Sequence, residues 1–463
     1  MAYTAFITRI KNVRQHPNAD RLQMGECFGN TVIVSMDYED NQLGIYFPSD
    51  GQVSTEFADV NNLLRKKDEN GNNIGGYMDP DKRNVTAIKL RGEKSDGLFL
   101  PLKSLETFGD ISTLHEGDRI DNFNGHEICC KYVPRRNHRH GGVSQGNKTR
   151  KKKVNIAPLF TEHADTEQLA YNLGAFKPGD EIEITLKMHG TSQRTAYLPV
   201  FKGYKRTLWD KIRKREGTPI YDWGYVSGTR RTVLENYDGG YYGSNEFREQ
   251  HSKFFEGKLW KGEEVYYEVV GFTHTGAPIM STADNKKLND KDFIKQYGKE
   301  TVFSYGCEPN VLVFDDTDGR NQHVVGQSDI YVYRMTMTNE DGDVVEYTPD
   351  FMRYRCEQMG VKTVPVMWRG FIEEKIEYIP SDDDEFVEFN AGEWIKKKAE
   401  QYYDGPDPIG KTHIREGVVV RILNRPKFCA YKHKNWYFKA LEGIVKVEAE
   451  APDMEEAEST NNE

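Results

Sequence analysis

The segment EIEITL at 181–186 sets the strongest limit on how this chain can fold. Ile182, Ile184 and Leu186 alternate with polar neighbours, the period of a half-buried β-strand. The run stops abruptly at Lys187-Met188-His189-Gly190. Similar short runs lie on both sides of it. Residues 1 to 128 hold AFITRI, LQMGECF, NTVIVSM, LGIYFP, VTAIKL and GLFLPL with turn signals between them, which predicts a small β-barrel. From 156 onward the strands EVYYEVVGF, SDIYVYRMT and REGVVVRIL are mixed with helices. NEFREQHSKFFEG places Phe247, His251 and Phe254/Phe255 at helical intervals and stops at Gly257. NAGEWIKKKAEQYY opens on Asn390 with Glu393 three residues on, a capping box. The expected class is α+β.

With 463 residues the chain has material for two or three domains. A mean hydropathy of −0.75, no apolar run of membrane-spanning length and no basic-then-apolar amino terminus argue against membrane spans and secretion, so a cytoplasmic location is expected, the host cytoplasm if the source is viral. The six cysteines form no CxxC pair and have no histidine at zinc-finger spacing, so free thiols are expected. The net charge of −10 hides strong local contrast. Nine Lys or Arg and no Asp or Glu lie between Lys131 and Lys153, whereas the chain ends in an acidic segment. The basic stretch cannot bury a core and reads as a linker or nucleic-acid arm. SDDDE at 381–385 reads as a solvated loop, and DDTDGRNQ at 315–322 fails the EF-hand register.

Lysine attacks an electrophile only when unprotonated, so a nucleophilic Lys187 needs neighbours that disfavour its charge. In AYKHKNWYFK, Lys432 and Lys434 are two apart and share one face of a strand, a pair of cations suited to a phosphate. In REGVVVRIL, Glu416 shares a face with Val418, Val420 and Ile422, which puts a carboxylate on the apolar side of a strand's start. Glu268 shares parity with Tyr266 and Val270 and is expected to be partly buried. Two acids, three lysines and a glycine after His189 suit a nucleotide phosphate with Mg²⁺.

KMHGTS resembles the KxHGT form of the first motif of covalent nucleotidyltransferases, in particular the nick-sealing ATP-dependent RNA ligases of phage and bacterial type. Further segments resemble the family's other motifs in the family's order: SGTRR at 227–231, YYEVVGF at 266–272, DIYVYRM at 329–335, EGVVVR at 416–421 and KHK at 432–434. The resemblance covers about residues 156 to 447. It implies a nucleotidyltransferase domain built on antiparallel sheets and three steps: Lys187 takes AMP from ATP, AMP passes to an RNA 5′-phosphate, and a 3′-OH displaces it. Lys432 and Lys434 would hold the α-phosphate, Arg230 the phosphate region, and Glu416 the metal, Mg²⁺ or Mn²⁺. Leu186, His189, Gly190 and Thr191 would shape the nucleotide site, Glu268 would bind the ribose, and Phe272 or Tyr331 would stack on adenine.

HPNADRLQMGEC at 16–27 and AIKLRGEKSDGLFLPL at 87–102 resemble OB-fold tRNA-binding domains, with Arg9, Lys11, Arg14, Arg21, Lys89 and Arg91 as candidate RNA contacts. The expected organisation is an OB-like RNA-binding domain at 1–128, a basic linker at 129–155, the ligase domain at 156–447 and an acidic tail at 448–463. That short tail leaves no place for the carboxy-terminal helical domain many relatives use, so RNA engagement is expected from the front domain. The expected partner is RNA, a nicked duplex or a structured broken RNA such as tRNA, with no membrane and no obligate protein partner. Two alternatives stay open: a ligase for DNA or mixed strands, and an RNA- or tRNA-binding adaptor on an inactive nucleotidyltransferase scaffold.

Overall fold

A computed structural model describes residues 3–49, 51–67, 73–132, 154–163, 166–213, 217–230, 232–234, 237, 245–279, 291–298, 303–314, 322–373, 389–410, 413–441 and 445–446. Most of the basic run, the 315–321 and 381–385 segments, Arg231 and the acidic tail lie outside them. The chain divides into two compact units, Met1–Gly141 with Lys287–Lys299 and Trp436–Glu463, and Gly142–Lys286 with Glu300–Asn435. All six cysteines are free thiols. No helix among the described residues is long and apolar enough to cross a membrane.

In the first unit a four-stranded antiparallel sheet runs Leu98–Pro101, Leu43–Phe47, Ala5–Arg9, Arg119–Ile120. A separate meander joins Lys11–Gln15, Leu22–Cys27 and Asn30–Ser35. Ile7, Ile45, Phe47, Phe57 and Phe108 form part of one core. The strands form distinct sheets, and no closed barrel is found among the described residues. Left-handed backbone at Phe28 and at Arg91 turns the chain within hairpins, between Cys27 and Asn30 and between Leu90 and Glu93.

The second unit is built on two sheets. The first has strand order β1 (Glu167–Gln168), β11 (Cys429–Lys434), β10 (Gly417–Ile422), β2 (Glu181–Leu186), β9 (Val366–Phe371), antiparallel except for β1 on β11. The second has order β4 (Thr218–Gly228), β3 (Thr191–Lys205), β5 (Glu263–Gly271), β6 (Ser328–Thr338), β7 (Val344–Glu346), with the short β8 (Lys362–Thr363) parallel to β6. This is the expected antiparallel α+β arrangement.

The alternation in β2 has a clear physical outcome. Ile182 and Ile184 join Val418 and Val420 in a core closed by Ile395 and Ala399 of helix α3 (Ala391–Glu400), while the buried Glu183 pairs with Arg353 at 2.9 Å. Asn390 caps α3 by accepting the Glu393 N–H at 3.0 Å. Helix α1 (Glu246–Phe254) and helix α2 (Pro349–Met359) pack Phe247, Met352 and Cys356 against Val265, Val269 and Val332 of the second sheet.

One ion pair ties α2 to the second sheet from inside. Arg355 donates to both oxygens of Glu263 at 2.8 Å, and Glu263 also accepts from Tyr347 Oη and the Trp260 N–H. The two side chains are 4% and 0% exposed, so neither charge has water to fall back on. Arg355→Leu should therefore cost about 3–5 kcal/mol in urea denaturation, while replacing both partners with apolar residues should recover most of it; a single-variant loss below about 1 kcal/mol would show that the pair is solvated.

Candidate active site

Register, rather than proximity in sequence, gathers the predicted residues. Leu186 at the end of β2 lies opposite Val418 in β10, and Gly417 lies opposite Lys434 in β11. One step past β2, Lys187 donates its main-chain N–H to the Gly417 carbonyl at 3.0 Å. Lys187, Gly417 and Lys434 therefore stand in a row across three strands. The middle place must be glycine: its φ is 146°, and a Cβ there would meet the His433 carbonyl oxygen at 2.1 Å. With no side chain in the middle of the row, both lysines reach the residue next to it.

That residue is Glu416, 3% exposed. Its Oε1 is 2.6 Å from Lys187 Nζ and 3.2 Å from Lys434 Nζ, and its Oε2 is 3.6 Å from His189 Nδ1. Burial alone would raise this carboxyl; Lys187, Lys434 and His189 overcome that and hold it well below the usual carboxylate range. Lys432 is two residues before Lys434, opposite Val419, on the same face of β11.

The KMHG turn carries the chain from the first sheet into the second. Gly190 packs against β5 so closely that a Cβ would lie 2.4 Å from the Val269 carbonyl oxygen and 2.8 Å from Glu268 Cγ. Glu268 in turn faces Ser192 on one neighbouring strand and Tyr331 on the other. Burial pushes the Glu268 carboxyl up to about 8; Lys187 pulls it down, Glu416 pushes it further up, and Arg248 and Arg230 pull it down. The same field thus links Lys187, Glu416, Glu268 and Arg230. Phe272 and Tyr331 are both buried, at 4% and 5% exposure. Tyr331 stands opposite Glu268, whereas Phe272 follows the end of β5 with its N–H on the Gln327 carbonyl.

Several residues at this site carry little sequence signal. Arg248 of α1 is buried, donates to Thr191 Oγ1 at 2.5 Å and to the Ser192 carbonyl at 3.3 Å, and so fixes the start of β3. Tyr333 shares a hydroxyl hydrogen bond with Ser192 at 3.0 Å. The hydroxyl of Tyr305 accepts the His189 N–H at 2.6 Å, from a residue held at φ 48°. The rings of Phe303 and Tyr305 each lie 4.6 Å from His413, and Phe303 also meets His189 edge-on at 4.8 Å. Arg248 sits beside Phe247 in a helix whose apolar spacing is readable, but nothing in that pattern marks a neighbouring arginine as buried.

A lysine and a second cation in one row, with an ionised buried carboxylate beside them, can take a phosphate, present an amine to it and hold a hard cation beside it. No protein-family model and no curated protein sequence matches this chain. Its fold is similar to that of solved structures of an RNA ligase from Naegleria gruberi. For an alanine variant with ATP and Mn the TM-score is 0.54 at 14% identity, covering 96% of this chain and 99% of that one. For the ligase with PPi the values are 0.53, 14%, 94% and 97%; for a methionine variant with AMP and Mn they are 0.52, 14%, 95% and 98%. At this identity the likeness concerns the fold, over nearly the whole of each chain.

The raised Glu268 carboxyl gives a pH signature. Its protonated form is favoured in the folded chain, so its contribution to stability is fully present below about 4.5 and is lost as pH rises through about 8. Urea denaturation of Glu268→Gln should fall less steeply with pH than the wild type between about pH 5 and 8; identical slopes would show that Glu268 titrates as an exposed acid does.

Proposed function

We propose that this chain is an ATP-dependent RNA ligase that joins RNA 3′-OH and 5′-phosphate ends at nicks or structured breaks, through lysyl-AMP and RNA-adenylate intermediates. The observation that carries the reading is the row of Lys187, Gly417 and Lys434 around the buried carboxylate of Glu416, within a fold shared with an RNA ligase. Neighbours solved with ATP and Mn, with AMP and Mn, and with PPi support adenylyl chemistry at such a site.

In the first step the Lys187 Nζ lone pair bonds to the α-phosphorus of ATP, the bond to the pyrophosphate oxygen breaks, pyrophosphate leaves, and the amine proton passes to solvent. Lys187 must first leave the Glu416 oxygen it contacts at 2.6 Å. Lys434 and Lys432 take up charge on the non-bridging α-oxygens in this step and in the two that follow. An RNA 5′-phosphate oxygen then attacks the same phosphorus and the P–N bond breaks, with Lys187 Nζ taking up a proton from solvent; finally the 3′-OH oxygen bonds to the 5′-phosphorus as its proton passes to solvent, the P–O bond to AMP breaks, and AMP leaves. Arg230 binds the phosphate region, Glu268 the ribose, and Tyr331 or Phe272 the adenine. Leu186, His189, Gly190 and Thr191 shape the pocket.

Glu416 would supply an ionised hard ligand to a Mg²⁺ or Mn²⁺ ion. No group of three His, Cys, Asp or Glu able to hold a metal occurs among the described residues. Such an ion would complete its shell with waters and substrate phosphates, as Mg²⁺ commonly does. When bound, the ion neutralises charge on the reacting phosphate.

The first unit serves in this reading as an OB-like RNA-binding module, with the basic 129–155 stretch as its arm, in a cytoplasmic protein without an obligate protein partner. Among its candidate cations Arg9 and Arg14 are paired with Glu116 at 3.1 Å and Glu26 at 3.3 Å, and Lys11 and Arg21 are exposed.

Lys187→Ala should abolish ATP-dependent sealing of a nicked RNA duplex, yet still join a strand supplied already adenylylated at its 5′ end, because the last step needs no amine. Retained ATP-dependent sealing would overturn the assignment of the nucleophile. Loss of joining with the pre-adenylylated strand as well would assign Lys187 a role beyond the attack.

A further inference from the structure

The hairpin of β3 and β4 is longer than the sheet that carries it. Pairing with β5 ends at Ala196, whereas β3 continues to Lys205 and pairs there with β4 alone. The overhang from Leu198 to Lys205 measures about 23 Å at the usual rise of a strand. Its root is anchored: Leu198 and Val200 pack on Ala157 and Phe160, and the Phe201 N–H bonds to the Ile156 carbonyl. A bulge between Phe201 and Gly203 redirects the strand, and Gly217, at φ 87°, closes the tip where a Cβ would meet the Lys205 carbonyl oxygen at 2.5 Å.

The tip carries an ordered turn of helix, Leu208–Ile212. Asp210 accepts the Thr207 N–H and hydroxyl at 2.9 and 2.6 Å, and Thr207 accepts the Asp210 N–H at 3.2 Å. This reciprocal cap engages the acidic group within the tip. Leu208, Trp209 and Ile212 are nevertheless 77%, 67% and 70% exposed. Lys202, Lys205, Arg206 and Arg213 are exposed around them, and the Arg213 guanidinium lies 5.6 Å over the Trp209 ring. Residues 201–217 hold seven Lys or Arg against two Asp or Glu, a local charge of +5 on a chain of net −10.

We infer that this arm is an RNA-binding element, in which Trp209 offers a stacking face to a base and Lys202, Lys205, Arg206 and Arg213 neutralise the adjoining phosphates. The inference rests on the RNA-ligase reading and names a surface by which the ligase domain grips its substrate. Cations around an exposed aromatic match a polyanion with stackable bases. Two tips of two copies would instead bring like charges together.

The test uses the full chain, with Trp209→Ala and, separately, Lys202→Ser/Lys205→Ser/Arg206→Ser. Each variant is assayed for covalent labelling by α-³²P-ATP and for equilibrium binding of a fluorescent nicked RNA duplex across a salt series. Labelling should stay within about twofold of wild type, since the tip extends away from Lys187 along the hairpin. Trp209→Ala should weaken RNA binding about fivefold or more, and the triple variant should lower the log–log salt slope by about 2. Unchanged affinity and slope in both variants would overturn the inference while leaving labelled protein a ligase candidate. Wild type that does not label but loses RNA affinity through these variants would retain the arm and refute the ligase. A concentration-dependent dimer lost in Trp209→Ala, with RNA binding intact, would assign the tip to a second copy and overturn the inference.

Discussion

A single buried carboxylate, Glu416, holds the candidate site together. It is almost fully removed from water, and such a charge is tolerable only when cations and hydrogen-bond donors surround it. Lys187 and His189 from the KMHG turn and Lys434 from β11 supply that company. Their convergence depends on β2, β10 and β11 keeping their register, since a slip of one residue would turn each side chain to the opposite face. Gly417 limits such a slip, because no residue with a Cβ can occupy the middle of the row.

The same geometry explains why the KMHG turn stands where it does. Residues 187–190 are the link between β2, the end of a strand in one sheet, and β3, the start of a strand in the other. Lys187 faces Glu416 in the first sheet, and three residues later, at Gly190, the chain is pressed against Glu268 and Val269 of the second. Arg248 and Tyr305 hold the far side of this turn through Thr191, Ser192 and the His189 N–H. The candidate site is therefore assembled at a seam between the two sheets.

What the sequence makes legible here is whatever has a short period. Alternation in EIEITL and in REGVVVRIL places the strands and puts Glu416 beside an apolar face; the two-residue spacing of Lys432 and Lys434 places both on one side of β11. Helix α3 begins at its predicted cap. Non-local arrangements are not legible in this way. The closure of Tyr305 over His189, and the burial of Arg248, depend on packing between elements far apart in sequence. In the first unit the parallel pairing of Ala87 with Val445 brings two distant stretches together over two residue pairs, too short to leave a pattern. The long segment between β6 and β10 also gave no functional signal; it supplies α2 and α3, one backing each sheet.

The most direct test of the central claim is to locate the adduct. The full chain is incubated with ATP and Mg²⁺, freed of nucleotide, digested, and its peptides are mapped by mass spectrometry. The account predicts AMP on Lys187, released by acid and stable to base as a phosphoramidate should be, with none on Lys432 or Lys434. AMP on another residue, or no adduct from folded protein with either Mg²⁺ or Mn²⁺, would contradict it.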